Sequence, residues 1–398
     1  MSPERGGGYT FENELIQALL NLDSELTHSF RLYSFGQDIV EKDQKFRNIE
    51  IINPHLNFIE KAPSIITRYS SALLKKLANP DIQYQVESWA AKYIRDFISR
   101  DGTDLVWSFT PNCLTSKIPY VLTIWDLQHR LQPYFPEVNS RREWATREHM
   151  FSSALRRATY VITGTQRGKT EIERFYQIAP ERIKILSFPT PQISIKSVTK
   201  GFSNIFVKYN IPKDYIFYPA QFWPHKNHIG LLLAIKLLRD KFDIHLSAVF
   251  VGSDKGNENH VRNTVKQLGL EQQVYFLGFV PRNDLYALYY FAFALTFVSF
   301  FGPDNLPPLE AFALGCPVIA ANVPGAQEQL GNAALLVNPD NEEEIALSIK
   351  SLYENPDMRK VLIEKGKERA SLYNGEGYIR KMIEIMDEFE SIRRCWDR

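Results

Sequence analysis

The chain has 398 residues and a mass of 46.1 kDa, more than one hydrophobic core usually serves, so two domains are expected. With 44% hydrophobic and 23% charged residues, 20 Gly and 22 Pro, its composition excludes a disordered, collagenous or coiled-coil chain. The 47 basic and 46 acidic side chains leave a formal charge of +1, which excludes the broad basic field that grips nucleic acid.

The balance is uneven: residues 1–200 carry +4 and 201–398 carry −3, which permits peripheral attraction to anionic lipid. Cys113, Cys316 and Cys395 are odd in number and far apart, so neither a disulfide framework nor a zinc site is indicated. No apolar run approaches the ~20 residues of a membrane span, and MSPERGGGYTFENEL lacks the basic-then-apolar order of a signal peptide. A cytoplasmic protein is expected; the uneven charge reads either as ordinary solvated charge or as peripheral attraction to the inner face of a membrane.

From the N-terminus, Gly6, Gly7 and Gly8 read as a glycine turn opening a helix at Phe11, with the strand that usually precedes such a turn absent. Short β-rich runs then alternate with helical periodicity, the pattern of βα units on a parallel sheet. Strands are predicted at 104–109, 120–125, 160–163 and 183–188, with helices at 86–99, 141–158 and 166–176. A proline-punctuated, weakly periodic stretch follows, and it separates an N-terminal lobe (1–190) from a C-terminal lobe (213–372) by a linker at 191–212. In the second lobe strands are predicted at 215–220, 246–251, 274–279, 294–299, 318–321 and 334–337, and the aromatic run 291–301 reads as a buried strand. The charged tail, 373–398, reads as a helix. The fold class is α/β, with two doubly wound parallel sheets.

Ligands of open parallel sheets bind at the carboxyl ends of the strands, so the residues after each strand are the candidates. The glycine turn could bring backbone N–H groups to an anion, or it could be a flexible terminus. TIWDLQHRLQPYFPE leaves a strand at Trp125-Asp126; Asp126 could line a cleft or cap a turn, and His129 could face a ligand or the surface. In FYPAQFWPHKNH, Lys226 stands beside a helix N-terminus, an unfavourable place for a cation unless an anion binds there. His225 and His228 lack a third ligand and read as packing or capping residues. In FVSFFGPDNLPPLEAFALGCPVIAA, Asn305 can cap a helix whose first turn tolerates the two prolines, and Gly315 stops it. Glu310 either complements the helix dipole or accepts two hydrogen bonds from neighbouring sugar hydroxyls. No phosphate-loop, zinc-protease, serine-hydrolase or kinase motif occurs.

These segments together resemble glycosyltransferase family 4, retaining enzymes of the two-lobed GT-B fold. The resemblance runs through nearly the whole chain: the glycine turn, the loop at Asp126, YVITGTQRGKTEI, FYPAQFWPHKNH, VYFLGFVP and, most specifically, NLPPLEAFALGCPVIAA. It resembles a mannosyltransferase-like subgroup with an FGPxNLPPLEA motif. It implies a hexose, of mannose or glucose type, moved from a GDP- or UDP-linked donor to a glycan or lipid-linked acceptor, with no metal or other cofactor and no nucleic acid. A cell-envelope polysaccharide would be the setting.

On that resemblance Lys226, Glu310 and Asp126 are the catalytic candidates. Glu310 would hold the ribose hydroxyls and Lys226 the diphosphate. The turn at Asn305-Leu306 would offer backbone N–H groups, Phe279-Val280 would meet the base, and Gly7-Gly8 would cross the cleft near the phosphates. Gln221 stands where the family usually has arginine, Trp125 where it has histidine before the aspartate, and Gly302 where it has the first glutamate of its pair; Asp304 is the nearest substitute for that carboxylate. His129, Arg130 and Tyr134 are the acceptor candidates, and the C-terminal helix is expected to pack back on the N-terminal lobe. The alternative is a catalytically silent relative that binds a nucleotide sugar or scaffolds an active transferase.

Overall fold

The computed structural model describes residues 6–33, 45–52, 98, 102–111, 117–139, 141–193 and 205–396. Cys113, most of the predicted 86–99 helix and residues 194–204 of the predicted linker lie outside them.

The first described element is the helix Gly7–Asn21. It begins four residues before the predicted start: Gly6, at φ 68°, sits at its N-cap, and Gly7 and Gly8 form its first turn rather than a loop. Two strands the alternation did not reveal follow, β1 (Phe30–Tyr33) and β2 (Ile49–Ile52), paired in parallel. Only Ile49 of these eight residues is buried, so neither strand carries the continuous apolar run that marked the others.

The strands β3 (Val106–Ser108), β4 (Tyr120–Thr123), β5 (Tyr160–Thr163) and β6 (Ile183–Ile185) form a four-stranded parallel sheet in that order. The second sheet contains β7 (Tyr215–Pro219), β8 (Ser247–Val251), β9 (Val274–Phe276), β10 (Ala294–Phe297), β11 (Val318–Ala321) and β12 (Ala334–Val337). Its order is β12-β11-β10-β7-β8-β9, all parallel. Every residue of β4, β5, β8, β10 and β11 is buried, because helices cover both faces of such a sheet. The aromatic run is shorter as a strand than predicted: Phe291 closes the helix Arg282–Phe291, and β10 starts at Ala294.

The helix Gly375–Arg393 returns to the N-terminal side of the molecule. Its buried residues Tyr378, Met382, Ile385 and Phe389 recur every three or four positions and face inward. Tyr378 meets Phe11 edge-on at 5.8 Å, Lys184 pairs with Glu388 at 2.7 Å, and Arg393 with Asp104 at 3.0 Å. No helix among the described residues is long and apolar enough to cross a membrane.

Candidate active site

In the second sheet the chain leaves β7 toward β8 and β9, then returns to build β10, β11 and β12 on the other side, so direction reverses between β7 and β10. A parallel sheet opens a crevice at such a point. The loop after β7 carries Lys226, and the loop after β10 leads through Gly302 and Asn305 into the helix Leu306–Ala313. The two loops are joined: Phe300 N–H and the Ser299 hydroxyl both donate to the His225 carbonyl, at 2.8 and 3.3 Å. Asn227, at φ 54°, accepts from Gly230 N–H at 3.0 Å and donates to the Val298 and Pro339 carbonyls.

The Lys226 ammonium lies 5.2 Å from the centre of the Phe297 ring. Burial pushes it down to about 8, against the pull of the Asp126 and Glu137 carboxylates across the cleft. No carboxylate among the described residues lies within ion-pair distance of it, so its charge is available to an anion. Gln221 accepts from Trp223 Nε1 at 3.1 Å, five residues upstream.

The N-terminus of the Leu306–Ala313 helix offers less than predicted. Asn305 occupies the N-cap but does not cap: its side chain donates to the Gly302 carbonyl at 2.8 Å. Its backbone N–H is taken by Gln329 Oε1 at 3.1 Å, and Gln329 donates back to the Asn305 carbonyl at 3.1 Å. Pro307 and Pro308 have no N–H, so of the expected donors the Leu306 amide remains, backed by the helix dipole. Gly315, at φ 70°, ends this helix as expected. One turn into it, Glu310 is buried and accepts from the Tyr289 hydroxyl at 2.7 Å. Burial raises its pKa, opposed by that hydrogen bond and by Arg282.

Across the crevice Gly7 lies against Leu306: a Cβ on Gly7 would sit 3.5 Å from Leu306 Cδ1. Gly8 follows in the same helical turn. Asp126 accepts from Gln128 N–H and Arg147 Nη1, each at 3.0 Å; burial disfavours its charge, but these partners hold it below the usual range. Asp304 does not turn toward Lys226. Its carboxyl packs on Gly164 at the end of β5, with Oδ2 buried and unpartnered. Burial, with the Glu328 charge, pushes it up to about 7. Phe279 is exposed and Val280 buried just beyond β9.

The structure removes His129 from the set that could touch an acceptor. It is fully buried, with Nε2 3.1 Å from the Tyr176 hydroxyl and rings of Trp144 and Phe151 around it, and burial pushes it down to about 4. Arg130 is engaged by Glu148 and faces the rings of Trp144, Phe175 and Tyr176. Tyr134 is exposed, its ring tilted against that of Phe135. His228 is buried against Phe222 and Tyr218, a packing residue, and no metal-binding group of side chains occurs among the described residues. Tyr289, Arg282 and Gln329 were not predicted; each reaches the crevice from an element distant in sequence.

Residues 202–369 match the family model described as glycosyl transferases group 1. The chain is 26% identical over 312 residues to the O-antigen chain mannosyltransferase RfbU of Salmonella typhimurium, covering 76% of this chain and 80% of that one. The protein is a glycosyltransferase. It is also 24% identical over 249 residues to the O-antigen chain mannosyltransferase B of Escherichia coli, covering 62% of this chain and 65% of that one. Its fold matches sucrose-phosphate synthase from Thermosynechococcus elongatus at a TM-score of 0.69 and 17% identity, over 97% of this chain and 94% of that one. WaaG, a glycosyltransferase of lipopolysaccharide biosynthesis, matches at 0.63 and 17%, over 93% and 94%. Two lobes of parallel sheet flanked by helices are the GT-B arrangement.

Proposed function

We propose that this glycosyltransferase moves a hexose, mannose or glucose, from a GDP- or UDP-linked donor to a glycan or lipid-linked acceptor, with retention and without a metal. The observation that carries this reading is the convergence of Lys226, the Leu306 amide and Glu310 at the β7/β10 crevice. The two O-antigen mannosyltransferases among its relatives favour mannose.

In this reading residues 1–190 and the C-terminal helix form the acceptor lobe, and residues 213–372 the donor lobe. Glu310 accepts from both ribose hydroxyls, Phe279-Val280 meets the base, and Lys226 with the helix dipole takes the charge that develops on the departing diphosphate. The bond from the anomeric carbon to the diphosphate oxygen breaks as the acceptor oxygen bonds on the same face. The acceptor's proton passes to the departing phosphate oxygen. Lys226 supplies there the positive charge that other architectures draw from a metal. Asp126 lies across the cleft, where it can orient a sugar hydroxyl.

The test is NMR-monitored transfer and hydrolysis with UDP-, GDP- and ADP-sugars, wild type beside Glu310→Ala, with and without EDTA. Turnover of one donor with a retained anomer, insensitive to EDTA and lost in the variant, supports the reading. An inverted product or EDTA-sensitive turnover overturns the mechanism, and donor binding without turnover in the presence of varied acceptors favours the silent relative.

A further inference from the structure

Immediately before Lys226, His225 is held from the other lobe. Glu137, on the short helix Pro136–Asn139, accepts from His225 Nδ1 and, at 3.3 Å, from the His225 backbone N–H, both through Oε1. The Glu137 side chain is 6% exposed, and its second oxygen is buried without a partner. Gln132, five residues earlier, donates to the Phe300 carbonyl at 2.9 Å, while Phe300 N–H donates to the His225 carbonyl at 2.8 Å. Phe135 fills the space between, 6.1 Å from the His225 ring and 5.9 Å from that of Phe300. The segment from Gln132 to Glu137 thus grips both loops of the donor crevice at the residue that precedes Lys226.

A surface ion pair would contribute little, but a buried carboxylate that satisfies one ring N–H and one amide is strongly unfavourable to leave unpaired. The contact therefore forms fully or opens. We infer that Glu137 is a positioning residue that acts through His225: docking of the N-terminal lobe and setting of the Lys226 loop are one event. The lysine reaches its working place only when the lobes meet. Lys226 meets the diphosphate in the bound state too, but its charge counts most as the anomeric bond breaks, so the contact governs the chemical step more than donor affinity. Sequence spacing cannot show this pair, since 88 residues separate its members.

This inference rests on the transferase reading, and its test separates the two. Glu137→Ala, Glu137→Gln and His225→Asn are compared with wild type for kcat, donor KM, nucleoside diphosphate affinity by calorimetry, and radius of gyration by small-angle scattering. The expected result for Glu137→Ala is kcat about 10- to 100-fold lower, diphosphate affinity reduced by a clearly smaller factor than kcat, and a larger radius of gyration. Glu137→Gln, which keeps an acceptor, recovers part of the loss. Unchanged kcat and scattering overturn the inference, as does a loss of kcat matched by an equal loss of diphosphate affinity. If the wild type transfers no sugar from any donor, the transferase reading fails, and the scattering comparison still decides whether Glu137 holds the lobes.

Discussion

The Tyr289 hydroxyl donates to Glu310 Oε2 at 2.7 Å, and both side chains are buried. Tyr289 holds one carboxylate oxygen from behind, which leaves the other for a ligand. Burial raises the Glu310 pKa and this bond opposes the rise, so Tyr289→Phe moves it higher still. A carboxylate acceptor is lost as pH falls through that pKa. In Tyr289→Phe the acidic loss of donor binding therefore begins at a higher pH, and folding stability falls by about 1.5–3 kcal/mol. Donor titrations from pH 4 to 8 would show this; superimposable profiles would contradict it.

Lys226 titrates in the opposite sense. Its ammonium, pushed down to about 8 by burial, is lost as pH rises through that value, so kcat/KM falls above about pH 8. Bound diphosphate favours the charged form and moves the limb in kcat to higher pH. Lys226→Ala lowers kcat by about 10²–10³, the scale of a lost charge-stabilising donor. A flat alkaline profile in wild type would remove the lysine from this role.

Gly164 and Asp304 make a further contact between the lobes. A Cβ at Gly164 would fall 2.1 Å from Asp304 Oδ2, so Gly164→Ala displaces that loop and lowers activity. Asp304→Ala in the same chain relieves the clash and restores part of it, a non-additivity that a double-mutant cycle measures.

The pH dependence of this contact has a definite sign. Asp304 is pushed up to about 7, so native structure favours its neutral form, and its cost to stability grows as pH rises from its ordinary 3.8 toward 7. Part of the side chain meets solvent, which limits the effect. Asp304→Asn therefore gains about 1–2 kcal/mol relative to wild type between pH 5 and pH 8, and urea unfolding at the two values would check it.

The C-terminal helix closes the core of the N-terminal side. Tyr378 lies 5.8 Å from Phe11 and 6.4 Å from Trp107, ring to ring, so Tyr378→Ala leaves a cavity between three elements. A loss of about 3–5 kcal/mol is expected, and thermal unfolding would measure it.

The alternation of apolar runs and helical spacing determined most of this protein's order, because fully buried parallel strands such as β4, β5 and β8 must be apolar at every position. Motif spacing likewise placed Lys226 after β7 and Glu310 one turn into its helix, since both follow from local geometry. The two strands at 30–33 and 49–52 escaped notice because their residues are largely half-exposed. Only the tertiary structure decided which groups meet. It gave the Asn305 amide to Gln329, turned Asp304 toward Gly164, buried His129 and set Glu137 on His225. Those outcomes depend on contacts between segments 15 to 140 positions apart. Local propensity is blind at that distance, where packing and desolvation set both the partner and the charge of each side chain.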